Sequence, residues 1–243
     1  MSDPTLSIPW WRLVFALPPA LLTMLFLFRW TDQGKALLHA SARMLAQLTF
    51  IGYALVWVFR ADHWGWVLGM LVLMAGVAGW ISLRPLDSAP RHRLYRKSLA
   101  CIVACGGGTL ALVVFGVLQP ARWYDPRVVI PLAGMIFAGA MNQISLAAER
   151  YTAERRRGEE HPAARGAALR ASLIPLLNAF FAVGLVQLPG MMTGQILAGA
   201  DPLVAVRYQI MVMLMLLGGG GLASAIFLEW AGPECHEAAG TEG

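Results

Sequence analysis

Residue types able to do chemistry are sparse along this chain, and their spacing limits what they could do. Cys101 and Cys105 stand at i and i+4, which puts two thiols on one face of a helix. Two thiolates could begin a soft-metal site. No third ligand lies near in sequence, and cysteines buried in a membrane mostly act as small apolar groups. Met135, Met141, Met191, Met192, Met211, Met213 and Met215 offer either a soft path for a metal or ordinary adaptable packing, with packing the favoured account. Gly106-Gly107-Gly108-Thr109 has neither the spacing nor the lysine of a phosphate-binding loop. Glycines inside an apolar block instead let helices approach closely, and the run Gly218–Gly221 reads the same way. His39 and His63 fall at the ends of apolar blocks, and Asp32, Asp62, Asp87, Asp125 and Asp201 fall at loops or edges. No acid–base pair can be assembled within the blocks. The chain is expected to have no catalytic residues, no cofactor and no resident metal.

The elements that would position these residues are membrane helices. The chain is 58% hydrophobic and only 14% charged, against about a quarter charged in a soluble domain. Its apolar residues gather in blocks that reach the ~20 residues needed to cross ~30 Å of hydrocarbon. Backbone groups in lipid must pair within the protein, which leaves helices or a closed barrel. A barrel would alternate apolar and polar residues over short stretches, whereas these blocks are continuously apolar. The expected fold is therefore all-α and polytopic, with about seven spans near 12–30, 37–59, 64–83, 98–119, 128–147, 171–193 and 204–228. They form a single transmembrane domain over 1–243, and the first block is read as a retained span.

Lysine and arginine set the orientation. Arg29 and Lys35 follow the first span. Arg84, Arg91, Arg93, Arg96 and Lys97 follow the third, and Arg150, Arg155, Arg156, Arg157, Arg165 and Arg170 the fifth. The opposite side has only Arg12, Arg60, Arg122, Arg127 and Arg207. The positive-inside rule puts the N-terminus outside and the C-terminus in the cytoplasm, in the inner (plasma) membrane of a cell. The net charge of +5 points to loops at an anionic membrane face and not to nucleic acid.

The sixth block, ASLIPLLNAFFAVGLVQLPGMMTGQILAGA, is the unusual one. Pro175 fits a first turn, but Pro189-Gly190 lies far along the block and predicts a break there. A short helix that re-enters or lines the outer part of a cavity is expected to follow, since irregular backbone at membrane depth needs protein or water around it; the alternative is a short outer loop with a helix lying on the surface. Broken helices of this kind often mark a transport path. Polar groups within or beside the spans are Arg43, Gln47, Asn142, Gln143, Asn178, Gln187, Gln195 and Gln209, which either hold helices together or line a path. Arg43, one turn from Gln47, either acts in the membrane or snorkels to its face. The segment 148–170 reads as two helices continuing beyond the membrane and joined by a turn between Gly158 and Pro162. It is either a solvated connector or a docking surface for a soluble partner.

The stretch VGLVQLPGMMTGQILAGADPLVAVRYQIMVMLMLL (183–217) closely resembles the signature of FetB-like ABC transporter permeases. ARMLAQLTFIGYAL, with Arg43, Gln47 and Gly52, resembles the family's second span, and IPLAGMIFAGAM, with Pro131, Gly134 and Met135, its fifth. Gly139 stands where the family carries Asn, with Asn142 one turn on. Asn178 and Phe181 stand where members can carry an Asp and a Lys.

The resemblance implies a membrane-spanning exporter subunit with no ATPase site of its own. A separate ABC ATPase subunit would drive it, and a seven-span chain would pair with a second copy as a homodimer. The expected translocation path or conformational break comprises Met135, Asn142, Asn178, Gln187, Pro189, Gly190, Met191, Met192, Gly194 and Gln195, with Arg43, Gln47 and Gln209 as intramembrane polar groups. Docking on the ATPase would use Arg155, Arg156, Arg157, Glu159, Glu160 and Arg165. Iron or another metal as cargo is implied by the resemblance alone, because the residues supply no ligand set. The rival is a self-contained channel or secondary carrier. It would need coupling charges at mid-membrane, which the spans lack apart from Arg43.

Overall fold

A computed structural model of the chain describes residues 9–31, 33–60, 63–86 and 91–240; Asp32, Asp62 and Asp87 lie outside the described residues. The chain divides into two compact units, Met1–Asp62 and His63–Gly243.

In the first unit a 3-10 turn, Trp10–Ala16, leads into α1 (Leu17–Trp30), and α2 (Gly34–Arg60) follows. Pro18 starts α1 where the missing N–H costs nothing. No residue of α1 is buried within this unit.

The second unit opens with α3 (Trp64–Ile81), whose first turn is capped by His63: its Nδ1 accepts from the Gly65 N–H at 3.0 Å. The next helical run comprises α4 (Arg91–Cys101), a π segment (Ile102–Gly107), α5 (Gly108–Ala111) and a second π segment (Leu112–Leu118). Gln119, at φ 42°, ends it. Next come α6 (Pro126–Arg156), α7 (His161–Ala182) and α8 (Gly190–Leu197). The last run is α9 (Pro202–Leu216), a π segment (Leu217–Gly221) and α10 (Leu222–Gly240). An Asp-Pro pair begins both α6 and α9. Asp125 accepts from the Arg127 N–H at 2.9 Å, and Asp201 from Leu203 at 2.8 Å and Val204 at 3.3 Å. The proline in each pair occupies the position where a helix has no partner for an N–H.

The architecture is all-α. Six helical runs among the described residues are long and apolar enough to cross a membrane: Trp11–Trp30, Gly34–Phe59, Trp64–Ile81, His92–Leu118, Pro126–Arg156 and Pro202–Gly232. The sixth block does not meet that standard, because α7 stops at Ala182, only twelve residues past Arg170, so any stretch of it long enough to span includes Arg165 or Arg170. The early start also moves Pro175. It lies well inside α7 and not in a first turn, so it releases the carbonyl four residues back from its helical bond.

Of the two glycine runs, Gly106, Gly219 and Gly220 pack closely, while a Cβ at Gly107 or Gly108 would meet nothing within 4 Å. A Cβ added at Gly106 or at Gly219 would meet the Ile136 side chain at 3.0 Å, and at Gly219 it would also meet the Gly106 backbone at 3.6 Å. Ile136 of α6 is fully buried between the π segments at 102–107 and 217–221. Gly220 is tighter still, since a Cβ there would lie 2.8–2.9 Å from the Gln143 amide. There the Gln143 amide would have to swing aside, whereas at Gly106 and Gly219 the small residue itself lets Ile136 of α6 pack closely.

Candidate functional site: an interrupted helix and its cavity

α7 stops at Ala182, seven residues before the proline whose position predicted the break. Val183 closes the helix with its N–H on the Ala179 carbonyl at 2.9 Å. The chain then turns back on itself. Leu185, Val186 and Gln187 N–H groups donate to the Ala182 carbonyl at 3.2, 2.8 and 3.1 Å, and Gly184 N–H donates to the Gln187 carbonyl at 3.0 Å. Gly184 sits at φ +81°, a left-handed conformation that residues with a Cβ avoid. Pro189, extended at φ −61° and ψ 145°, forms the far edge of the interruption and launches α8. Gly199 at φ +91° then turns the chain into α9.

Neighbouring contacts place the interruption along the bundle. Gly220 abuts Gln143 of α6, and a Cβ on Gly221 would touch Leu173 of α7 at 3.8 Å. Residues 143, 173 and 221 therefore share a level. Counting 1.5 Å per helical residue from that level, Ala182 lies about 12–15 Å short of the starts of α6 and α9. Such non-helical backbone, deep beside two spanning helices, needs protein or water around it.

A cavity of about 320 Å³ lies against this segment, bounded by Phe180, Val183 and Gly184, by Met192 of α8 and by Gln209 and Met213 of α9. Gln209 is 6% exposed, and its Oε1 has no hydrogen-bond partner. Gln195 of α8 and Gln143 of α6 also bury an unpartnered Oε1. Among the path residues named from sequence, the structure brings Met192 to this cavity, together with Gln209. Met191 and Gln195 are half-buried on the same short helix, with Gly190 and Gly194 exposed. Met135 is half-buried in α6, and neither it nor Asn142 or Asn178 lines the cavity. Asn142, Asn178 and Gln187 are exposed. Asn178 lies on α7 among exposed Ile174, Pro175, Leu177 and Phe181. Sequence reasoning passed over Phe180, Val183 and Gly184, although Gly184 within an apolar run was a usable signal. Arg43 and Gln47 are exposed on α2, in the other unit.

The opposite end of the unit is a hairpin of α6 and α7 that turns through Gly158 at φ +90°. Several of its charges are committed internally. Arg155 Nη1 donates to the Glu159 carbonyl at 2.7 Å. Buried Glu154 takes Arg150 and, at 3.4 Å, Arg157, while Arg165 pairs with Glu229 of α10. The Tyr151 hydroxyl meets His161 Nδ1 at 2.7 Å beneath the turn. Arg156 and the carboxylates of Glu159 and Glu160 remain exposed and without an ionic partner among the described residues. Nearby, burial and the charge of Glu234 push the Cys235 thiol up to about 12, so it stays protonated.

Residues 10–235 match the family described as "Uncharacterised protein family (UPF0014)". The chain belongs to this family. Among its UPF0014 relatives is a membrane protein of Synechocystis sp., 38% identical over 197 residues, which cover 74% of this chain and 75% of the relative. An Escherichia coli protein described as "Probable iron export permease protein FetB" is 34% identical over 207 residues, covering 79% and 78%. The Arabidopsis thaliana "Protein ALUMINUM SENSITIVE 3" is 30% identical over 211 residues, covering 80% and 76%. No solved structure matches the chain. The UPF0014 match includes the interrupted helix, its cavity and the arginine-rich hairpin, so all three lie within the family's shared length.

Proposed function

We propose that this chain is the permease subunit of an ABC-type exporter, working as a homodimer with a separate ATPase subunit. The observation that carries the reading is the interruption at 183–189. A helix too polar to qualify as a span ends about 12–15 Å short of its neighbours, beside a cavity, and leaves Asn178 and Pro175 on an open face. Lipid cannot satisfy Asn178 or the carbonyl that Pro175 releases, whereas a second copy or a water-filled path can. The same face would then be both the dimer contact and one wall of the path.

The hairpin at the other end supplies the coupling surface. Arg156, Glu159 and Glu160 present charge of both signs on a turn held by Arg155, Arg165 and the Tyr151–His161 bond. With the hairpin and the C-terminus in the cytoplasm of the inner membrane, ATP-driven closure of two ATPase subunits would move the hairpin as a unit. The motion would pass along α7 to the interruption. Iron or another metal is the cargo suggested by the name of the Escherichia coli relative. Among the described residues no group of three or more His, Cys, Asp or Glu could hold a metal. A path of thioethers and amides grips a metal weakly, which suits release.

The test is co-purification with an ATPase subunit, followed by transport in vesicles with and without ATP. Expected are a stable complex, ATP-dependent movement of metal, and loss of both when Arg156, Glu159 and Glu160 are reversed in charge together. Transport without ATP in the absence of any ATPase would establish a self-contained channel or carrier instead.

A further inference from the structure

Arg93, Arg96, Lys97, Ala100 and Val103 follow one another at helical spacing and form a single stripe along α4 and into the π segment after it. The stripe borders a cleft of about 720 Å³ whose other wall is Trp230 and Glu234 of α10. Its chemistry changes along its length, from three cations to a purely apolar end. From Arg93 to Val103 the rise is about 15 Å, enough for the cations to sit at the headgroup level while Val103 reaches into the hydrocarbon. Val103 and Trp230 are both exposed in the cleft, and an indole there suits the headgroup level.

The charges are not balanced. Lys97 Nζ donates to the Trp230 carbonyl and to Glu234 Oε1, each at 2.8 Å, and lies 5.4 Å from the centre of the Trp230 ring. Glu234 therefore offsets Lys97. Arg93 and Arg96 are exposed and have no ionic partner among the described residues. A soluble anion would gain from these guanidiniums and nothing from Val103, and the same holds for an acidic protein surface. An amphiphile bearing a phosphate gains from both ends of the stripe.

We propose that this cleft binds an anionic phospholipid, its phosphate on Arg93 and Arg96 and an acyl chain along Ala100 and Val103. The test is a binding titration of the purified full-length chain in detergent with phosphatidylglycerol, with phosphatidylcholine and with soluble glycerol phosphate. Phosphatidylglycerol should bind more tightly than phosphatidylcholine. R93Q/R96Q should weaken phosphatidylglycerol about thirtyfold (~2 kcal/mol, ~1 per arginine) and phosphatidylcholine, whose choline cation offsets its phosphate, by much less, so that the preference between the two lipids collapses. R93K/R96K, which keeps the charge, should retain most of the preference and so guards against a folding artefact. Glu234→Gln should raise phosphatidylglycerol affinity about fivefold by releasing Lys97. A preference that survives R93Q/R96Q overturns the proposal. So does glycerol phosphate binding as tightly as the lipid, which would make the cleft a plain anion site. Crosslinks from positions 93 and 96 to an ATPase subunit, with no lipid preference, would assign the cleft to protein docking and overturn it equally.

Discussion

The two ends of the 63–243 unit are built on opposite terms. At the arginine-rich end, Tyr151, Ala164, Ala168, Phe227 and Ala231 are fully buried where α6, α7 and α10 meet, and ion pairs tie α7 and α4 to α10. At the other end Phe181, Leu185 and Val186 are 82%, 90% and 85% exposed, and the chain is held by short turns within itself. An exposed leucine costs nothing in lipid, but an unpaired backbone group does. The closed end therefore resembles a domain core. The open end has few packed contacts to lose when it moves.

The contrast can be broken most directly by truncating one side chain at each end of the packing scale. Ile136→Ala, in the fully buried seam between the π segments, should lose ~2–5 kcal/mol in unfolding measured in detergent. Leu185→Ala should stay within about 0.5 kcal/mol. Equal losses would mean that the open end is packed in the isolated subunit after all. Gly184→Ala should cost ~1–2 kcal/mol, since φ +81° is strained for any residue with a Cβ. Its larger effect should be on transport, because the turn would relax toward continued helix. Unaltered transport with the expected strain would remove the turn from the path.

At the closed end, Arg165→Ala should lose no more than ~1 kcal/mol, because its pair with Glu229 is partly exposed. A double-mutant cycle with Glu229→Ala checks whether the pair steadies the hairpin. The smallest stability change, within about 0.5 kcal/mol, is expected for reversing Arg156, Glu159 and Glu160, with ATPase co-purification as the readout that does change. Cys235, its thiol pushed up to about 12, should resist alkylation at neutral pH until the chain unfolds. Ready labelling in the native state would show that the α10 end is open too.

Hydropathy alone revealed the helical membrane class and the positions of the long spans, because each is a sum over neighbouring residues. Pro189-Gly190 announced an interruption for the same reason: proline acts on its own turn. Where the helix stops was not legible. VGLVQL is as apolar as a span, and only the folded chain shows Ala182 as its last turn, with three N–H groups gathered on one carbonyl. The π segments at 102–107 and 217–221 were equally hidden, because they arise where Gly106 and Gly219 crowd Ile136.

Charge tells the same story. The sequence by itself determined how many arginines sit at the hairpin. The tertiary structure decided which are committed and which are available, through Arg165 with Glu229 and Lys97 with Glu234, the latter pair 137 residues apart. Composition is local and additive, whereas pairing depends on distances that only the packing of α4, α7 and α10 creates.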